Sequence, residues 1–386
     1  MKNQTVDIHL ILLLGNLLIA AVFFGVYHRF LQKRAGSNGL IRLGLGLFIG
    51  LFTLGSLLLC WLLTRSEHNI FVAFNLLAIQ CFFSLPSHLL LFGLYHTFYR
   101  PKPEQRGTAI ILPVILAGLI FLFAGYAYWY EPHNLQIDTY RLSSPKLHGL
   151  TRPIRIVQFT DLQPTRIGPE EERIMAAVLA LEPDIFLLTG DYTSLEPPEF
   201  ARNLAELQAY YGRLTAPFGS YAVDGNMEPP DWERLFAGSG ITPLSNRSVD
   251  IPVNGVMIRI FGLNLSSVKA KIFKHRELPL PESDPTKYTI LLSHIPDAVR
   301  YLRPEHGIDL VLAGHTHGGQ VRLPWFGPLV TFSYLERQYA AGLHDYHGTN
   351  LLVSRGLGLE RGEAPQIRIN CSPEIVVIEL TGETKE

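Results

Sequence analysis

The chain has 386 residues, of which 47% are apolar and 17% charged, with a formal net charge of -1. That length holds two domains of ordinary size, and near-neutral charge without a basic stripe excludes nucleic acid as an expected partner. Cys60, Cys81 and Cys371 are too few and too scattered for a disulfide framework.

In chain order, the first 130 residues carry four apolar runs: Ile8 to Tyr27, Leu40 to Leu63, Ile70 to Phe98 and Ala109 to Tyr130. Each reaches the roughly 20 residues that an α-helix needs to cross the hydrocarbon core. Residues 1–130 therefore read as an all-α block of four membrane helices. The first run alone has the length of a signal sequence, but three more follow it and no small-residue cleavage pattern stands after it. Ser84, Pro86, Ser87 and His88 interrupt the third run, where a split or re-entrant segment is the alternative. For His88 a helix-packing hydrogen bond is the default reading.

Basic residues in short loops set orientation. The first loop has Arg29, Lys33 and Arg34 with Arg42 at its edge, and the third has Arg100, Lys102 and Arg106. The second has Arg65, balanced by Glu67. Loops one and three are expected in the cytoplasm, which makes the chain a multi-pass membrane protein with everything after Tyr130 outside. Tyr126, Tyr128, Trp129 and Tyr130 would then form an aromatic belt at the outer end of the fourth span.

Residues 131–153 read as a linker, and 154–386 as a layered α/β domain of short apolar runs alternating with amphipathic stretches. Arg155 to Thr160 ends in Asp161, and Asp184 to Thr189 ends in Gly190-Asp191. Ser220 to Val223 leads to Gly225-Asn226, Tyr288 to Ser293 ends in His294, and Ile308 to Ala313 ends in Gly314-His315-Thr316-His317. Each run stops at a side chain able to bind a hard or borderline metal, and ligand sites in open α/β sheets form beyond the carboxyl ends of strands. Glu170 to Leu181 and Pro198 to Leu214 read as helices. Val249 to Gly262, with Asn254-Gly255 at its centre, reads as a β-hairpin. The runs at Leu351 to Ser354, Gln366 to Ile369 and Ile375 to Leu380 suggest a second sheet.

The ordered set Asp161-x-Gln163, Gly190-Asp191, Gly225-Asn226, His294 and Gly314-His315-Thr316-His317 resembles the signature of the calcineurin-like metallophosphoesterases, over roughly Ile154 to Leu380. Gly-Asp or Gly-Asn alone is a common turn; Gly-His-Thr-His after an apolar run, within five elements in the family's order, is far more specific. The segments Gly318 to Pro324 and Ser354 to Gly358 look like the membrane-associated bacterial branch.

The resemblance implies an α/β sandwich and two divalent cations, which together hold a nucleophile and the phosphoryl oxygens of an in-line displacement. It makes Asp191 the bridge, with Asp161, Gln163 and His317 on the first metal and Asn226, His294 and His315 on the second. Asp191 and Asn226 are the pair it implicates in catalysis. Such oxygen and nitrogen ligands suit Mn, Fe or Zn without choosing among them. The family usually has His where Gln163 stands, and usually has His after the Gly-Asn pair, where this chain has Met227. A thioether can neither donate a proton nor carry charge, so leaving-group help is in doubt, and Glu228 and Asp231 lie close by in sequence.

Arg322 and Arg355 are candidates for phosphate binding or for structural ion pairs, and His275, His306, His344 and His347 read as surface or loop residues. The reading is a membrane-anchored, metal-dependent phosphoesterase acting near the outer face of its membrane on a phosphate ester, lipid-linked or envelope-derived. The alternatives are a catalytically weak metal-binding sensor or scaffold, favoured by Gln163 and Met227, and a transport unit, disfavoured by the scarcity of ionisable residues in the spans.

Overall fold

The computed structural model of the chain describes residues 70–87, 89–90, 106–362 and 364–382. The first two apolar runs, the loop residues Arg29 to Arg65 and Arg100 to Lys102, and His88 lie outside the described residues. The chain divides into two units, Met1–Tyr128 with Arg361–Gln366 and Trp129–Glu360 with Ile367–Glu386.

In the first unit, helix α1 (Ile70–Ile79) passes into a π-turn, Gln80–Ser84, inside the third apolar run where the sequence is interrupted. Ser87 donates from Oγ to the Phe83 carbonyl at 2.7 Å. Helix α2 (Arg106–Gly125) is apolar on every side, and Ile111, Leu112, Leu119 and Leu122 are exposed. One stretch among the described residues, Ile111–His133, is long and apolar enough to cross a membrane by length and composition.

The second unit is built on strands. In chain order these are β1 (Gln136–Ser144), β2 (Ile154–Phe159), β3 (Ile185–Leu188), β4 (Ser220–Ala222), β5 (Ile241–Pro243), β6 (Arg247–Val253) and β7 (Val256–Leu263). They continue with β8 (Lys287–Ser293), β9 (Leu310–Ala313), β10 (Arg322–Leu323), β11 (Gly327–Pro328), β12 (Gly342–Tyr346), β13 (Thr349–Val353) and β14 (Glu374–Gly382). One sheet has the order β1-β14-β2-β3-β4-β5 and the other β12-β13-β9-β8-β7-β6, with β10 and β11 forming a separate ribbon.

Alternation within the central strands decides the layers, because successive side chains leave opposite faces. Ile154, Ile156, Ile185 and Leu187 meet Ile258, Ile260, Ile290, Leu292, Leu310 and Leu312 in the core between the sheets. The opposite face of the first sheet, with Val157, Phe159, Phe186 and Leu188, packs on Ile174 and Val178 of α3 (Pro169–Leu179) and on Phe200, Leu207 and Tyr211 of α4 (Pro197–Tyr211). Leu291, Val311 and Val353 of the second sheet pack on Leu265 and Val268 of α5 (Leu265–Lys274). The result is the expected α/β sandwich. Strands covered on both faces read as unbroken apolar runs, which is why they were visible in the sequence. The β6–β7 turn is the expected one: Asn254 and Gly255 take φ of 49° and 90°, the left-handed pair of a two-residue hairpin.

Three expectations are corrected. The stretch 131–153 is not a plain linker, because Gln136–Ser144 forms edge strand β1, parallel to β14 in register from Gln136↔Glu374 to Ser144↔Gly382. Its half-buried alternation lacks the continuous apolar run that marks a central strand. Ile375 to Leu380 extends the first sheet, antiparallel to β2, not the second. Gln366 to Ile369 is no strand; Ile369 makes a lone bridge with Val321, and Arg368 is turned fully inward.

Candidate metal centre

Strands β2, β3 and β4 run parallel in one sheet, and β8 and β9 run parallel in the other. Their carboxyl ends meet across the sandwich. Gln158 donates from Nε2 to the Ala313 carbonyl at 3.0 Å, and His294 Nδ1 lies 2.8 Å from the Thr189 carbonyl. All seven residues singled out from the sequence converge on this seam.

Each strand must turn sharply for its side chain to fold back over the strand end. Asp161, Gln163, Asp191, His315 and His317 accordingly have φ of 53°, 48°, 57°, 70° and 47°. Non-glycine residues pay roughly 1–3 kcal/mol each in this left-handed region, and such strain collects at functional sites. Two glycines are dictated by close approach. A Cβ on Gly225 would stand 2.2 Å from Asp191 Oδ1, and one on Gly314 would stand 2.1 Å from Asp161 Oδ2. The Gly-Asn and Gly-His pairs are therefore packing requirements as well as turns.

Asp191 lies between two groups of side chains. On one side its Oδ2 accepts from Gln163 Nε2 at 2.6 Å, Gln163 Nε2 lies 3.2 Å from His317 Nε2, and His317 Nε2 lies 3.5 Å from Asp161 Oδ1. On the other, Asp191 Oδ1 is 3.3 Å from His294 Nε2, which is 2.9 Å from Asn226 Oδ1, and the rings of His294 and His315 are 5.0 Å apart. Asp161, Asp191 and His294 are buried and each offers a ligand atom within 4.8 Å of the others.

Backbone donors hold the carboxylates in place. Asp191 Oδ1 accepts from the amides of Asn226 at 2.8 Å and Met227 at 3.1 Å. Asp161 accepts from Thr160 Oγ1 at 2.7 Å and from the His315 amide at 3.0 Å. The histidines are oriented too: Nδ1 of His294 serves the Thr189 carbonyl and Nε2 of His315 lies 3.3 Å from the Phe332 carbonyl, which leaves the other nitrogen of each ring for a ligand.

Burial and the Asp191 charge push the Asp161 carboxyl up to about 7. Burial also acts to raise Asp191, yet the charge and hydrogen bond of His294, with His315 and the Met227 amide, hold it well below the usual range. His294 is raised to about 10 against the effect of burial, chiefly by the Asp191 charge. Burial lowers His315 and His317 to about 3, with the positive charge of His294 and of Arg368 respectively adding to the fall. Two buried carboxylates here face buried imidazole rings. A divalent cation fits such a donor set, supplying positive charge that the protein side chains do not.

Three supporting residues were not assigned from sequence. Glu228 accepts from the amides of Asp191 at 3.1 Å and Gly225 at 2.6 Å, and from the amide of Tyr192, so one carboxylate ties the two glycine turns together. Its place three residues beyond Gly225 was the available signal. Arg368 donates to the carbonyls of Cys371 at 2.8 Å, Arg355 at 2.8 Å and Gly358 at 2.5 Å, fixing the loops beneath His317. Thr160 orients Asp161, and nothing in sequence separates it from an ordinary strand threonine.

The two candidate phosphate-binding arginines have structural partners. Arg355 pairs with Asp138 at 2.7 Å and Glu374 at 3.0 Å, and Arg322 donates to the Gly318 carbonyl at 2.9 Å. Asp231 pairs with Arg234 at the surface. His275 caps α5, His306 accepts from the Arg303 amide, His344 sits 2.9 Å from the Ala341 carbonyl, and His347 packs on Tyr346.

The family model described as calcineurin-like phosphoesterase matches residues 154–319. The metallophosphoesterase YkuE of Bacillus subtilis (strain 168) is 28% identical over 265 residues, which cover 66% of this chain and 89% of that protein. The phosphodiesterase YaeI of Escherichia coli (strain K12) is 29% identical over 266 residues, 66% and 92% of the two chains. The UDP-2,3-diacylglucosamine pyrophosphatase LpxG of Chlamydia muridarum is 27% identical over 333 residues, 70% and 97% of the two chains.

Proposed function

Because the chain belongs to the calcineurin-like metallophosphoesterases and is a metal-dependent hydrolase, we propose that it is anchored by its first 130 residues and hydrolyses a lipid-linked or envelope-derived phosphate ester at the outer face of its membrane. The observation that carries the reading is the place of Asp191, shared between Asp161, Gln163 and His317 on one side and Asn226, His294 and His315 on the other. Those two groups would hold two divalent cations, Mn, Fe or Zn, with Asp191 between them.

When bound, the cations polarise the phosphoryl oxygens and lower the pKa of attacking water. The chain's own residues do the positioning. Asn226 is exposed beside His294, so its amide can meet substrate while its backbone N–H steadies Asp191. The Thr189 carbonyl fixes the His294 ring, and Glu228 keeps the Asp191 and Gly225 turns in register. For Gln163, turning the amide over would present Oε1 in place of Nε2, and a glutamine carbonyl is a competent oxygen ligand.

The outer-face assignment is supported by the basic first and third loops. A lipid-linked substrate is supported by the likeness to LpxG, a protein named for a diacylated substrate. Gln163 and Met227 favour a second reading, a metal-binding sensor with little turnover. Metal analysis of the purified chain, followed by hydrolysis assays on phosphate mono- and diesters, separates the two. About two bound cations with metal-dependent turnover support the phosphoesterase. Bound metal without turnover above background supports the sensor.

A further inference from the structure

The ribbon β10–β11 pairs only Arg322↔Pro328 and Leu323↔Gly327, yet its tip is Pro324-Trp325-Phe326. Trp325 is fully exposed and has a φ of 62°, and Leu323 and Phe326 are exposed beside it. Phe332 and Tyr334 add further exposed aromatic surface, and the Arg337 guanidinium lies 4.4 Å above the Phe326 ring. A tryptophan displayed on strained backbone gains nothing from water. Aromatic rings flanked by arginine match the headgroup layer of a bilayer, where the ring buries its apolar body and the guanidinium meets lipid phosphate.

The position of the ribbon says what covers it. It begins five residues after His317, and the segment that returns from it is tied to the site through the Phe332 carbonyl, 3.3 Å from His315 Nε2. Its base is bonded to the stretch 369–372: the Arg322 amide donates to the Ile369 carbonyl at 2.9 Å and Asn370 Nδ2 to the Arg322 carbonyl at 3.2 Å. That same stretch is bonded to Glu131, whose Oε1 accepts from the Cys371 amide at 2.7 Å and from Ser372 Oγ at 3.1 Å. Glu131 immediately follows exposed Trp129 and Tyr130, near the end of the apolar stretch Ile111–His133. Only Glu131 to Leu135 separate Tyr130 from β1, a tether of roughly 18 Å at full extension. Glu131 and the base of the ribbon are thus both bonded to the stretch 369–372.

We propose that the tip Leu323 to Phe326 inserts into the interface of the membrane that anchors the chain, setting the mouth of the metal centre at headgroup level and favouring phosphate esters carried on lipid. The inference rests on the reading of the chain as a membrane-anchored phosphoesterase and names how its substrate is reached.

The test uses the full chain in nanodiscs of phosphatidylcholine and phosphatidylglycerol. The chain has four tryptophans, so the fluorescence difference between the parent and Trp325→Phe isolates residue 325. Brominated phosphatidylcholine should quench that difference signal about twofold, and aqueous acrylamide should quench it weakly. Quenching by acrylamide alone would put Trp325 in water, and quenching by neither would mean that protein, such as a second copy, covers it; both results overturn the proposal. In parallel, the double change Trp325→Asp with Phe326→Asp should lower the ratio of rates on a two-chain lipid phosphodiester and on a water-soluble nitrophenyl ester about tenfold. An unchanged ratio also overturns it. If the parent cleaves neither ester, the phosphoesterase reading fails, while the quenching result still decides where the ribbon lies.

Discussion

Replacing Asp191 with asparagine keeps the size of the side chain and removes its charge. In the Asp191→Asn variant the remaining carbonyl oxygen would still accept from the amides of Asn226 and Met227, now 2.8 and 3.1 Å from Asp191 Oδ1, so the turn should survive. The other side would not. Asp191 Oδ2 accepts from Gln163 Nε2 at 2.6 Å, and an NH2 group there sets donor against donor. Gln163 can relieve the clash by turning its amide over, which commits Oε1 to the new NH2 group instead of to a cation. One substitution therefore removes the shared carboxylate and diverts a second ligand. A bound metal supplies several kcal/mol of charge stabilisation; losing about 4 kcal/mol corresponds to ~10³ in rate. Metal content per chain and hydrolysis of a nitrophenyl phosphate ester should fall together, while the circular dichroism spectrum stays that of the parent. Parent-level metal and rate would refute the placement of Asp191 between two cations.

Met227→His supplies a proton donor at a position whose amide already touches Asp191; general acid help is worth typically ~10² to 10⁴ and matters most for poor leaving groups, so the rate on alkyl phosphate esters should rise more than that on nitrophenyl esters. Equal changes on the two substrates would show that position 227 does not serve the leaving group. At Asp184, burial acts to raise the carboxyl, but bonds from Arg152 at 2.6 and 2.7 Å and from the Arg155 amide at 2.9 Å hold it below its usual value. A depressed carboxyl stabilises the fold above its unfolded pKa, about 3.9, and loses that contribution as pH falls through the folded value. Asp184→Asn should therefore cost about 1 kcal/mol near neutrality, since the solvent-exposed Arg152 screens the pair, and should cost little at about pH 2; equal losses in denaturant titrations at both pH values would contradict this. A reporter active only outside the cytoplasm, fused after Glu386, should give signal, and a cytoplasm-only signal would reverse the orientation drawn from Arg29 to Arg106.

The seven converging side chains were legible because strand, turn and ligand occupy adjacent positions in sequence. Ile185 to Leu188 and Leu310 to Ala313 are buried on both faces and so appear as apolar runs, and the residues that follow each run are the ones that must turn back over the strand end. Edge structure was less legible. In β1, half-buried Gln136, Asp138 and Tyr140 alternate with exposed Ile137, Thr139 and Arg141, and the strand is defined by pairing with β14 more than 230 residues away, which no local pattern announces. The membership of β14 in the first sheet is a long-range fact of the same kind.

What the sequence could not supply was the support behind the ligands. Glu228, Thr160 and Arg368 look like ordinary polar residues until their partners are known, and those partners are mostly backbone atoms of distant turns. Backbone groups carry no residue code, so a side chain that recognises them leaves no motif. The ligand pattern nonetheless depends on that support. Five of the seven proposed ligands sit in left-handed backbone, each at a cost of roughly 1–3 kcal/mol, and together that approaches the roughly 5–15 kcal/mol by which a domain is stable. The amides of Asn226, Met227 and His315, the carboxylate of Glu228 and the guanidinium of Arg368 offset the strain by bonding the same turns that bear it. Asp161 is thus held by the His315 amide from beyond β9 in the other sheet and Asp191 by amides from beyond β4, so the site takes its full shape only when both sheets are assembled.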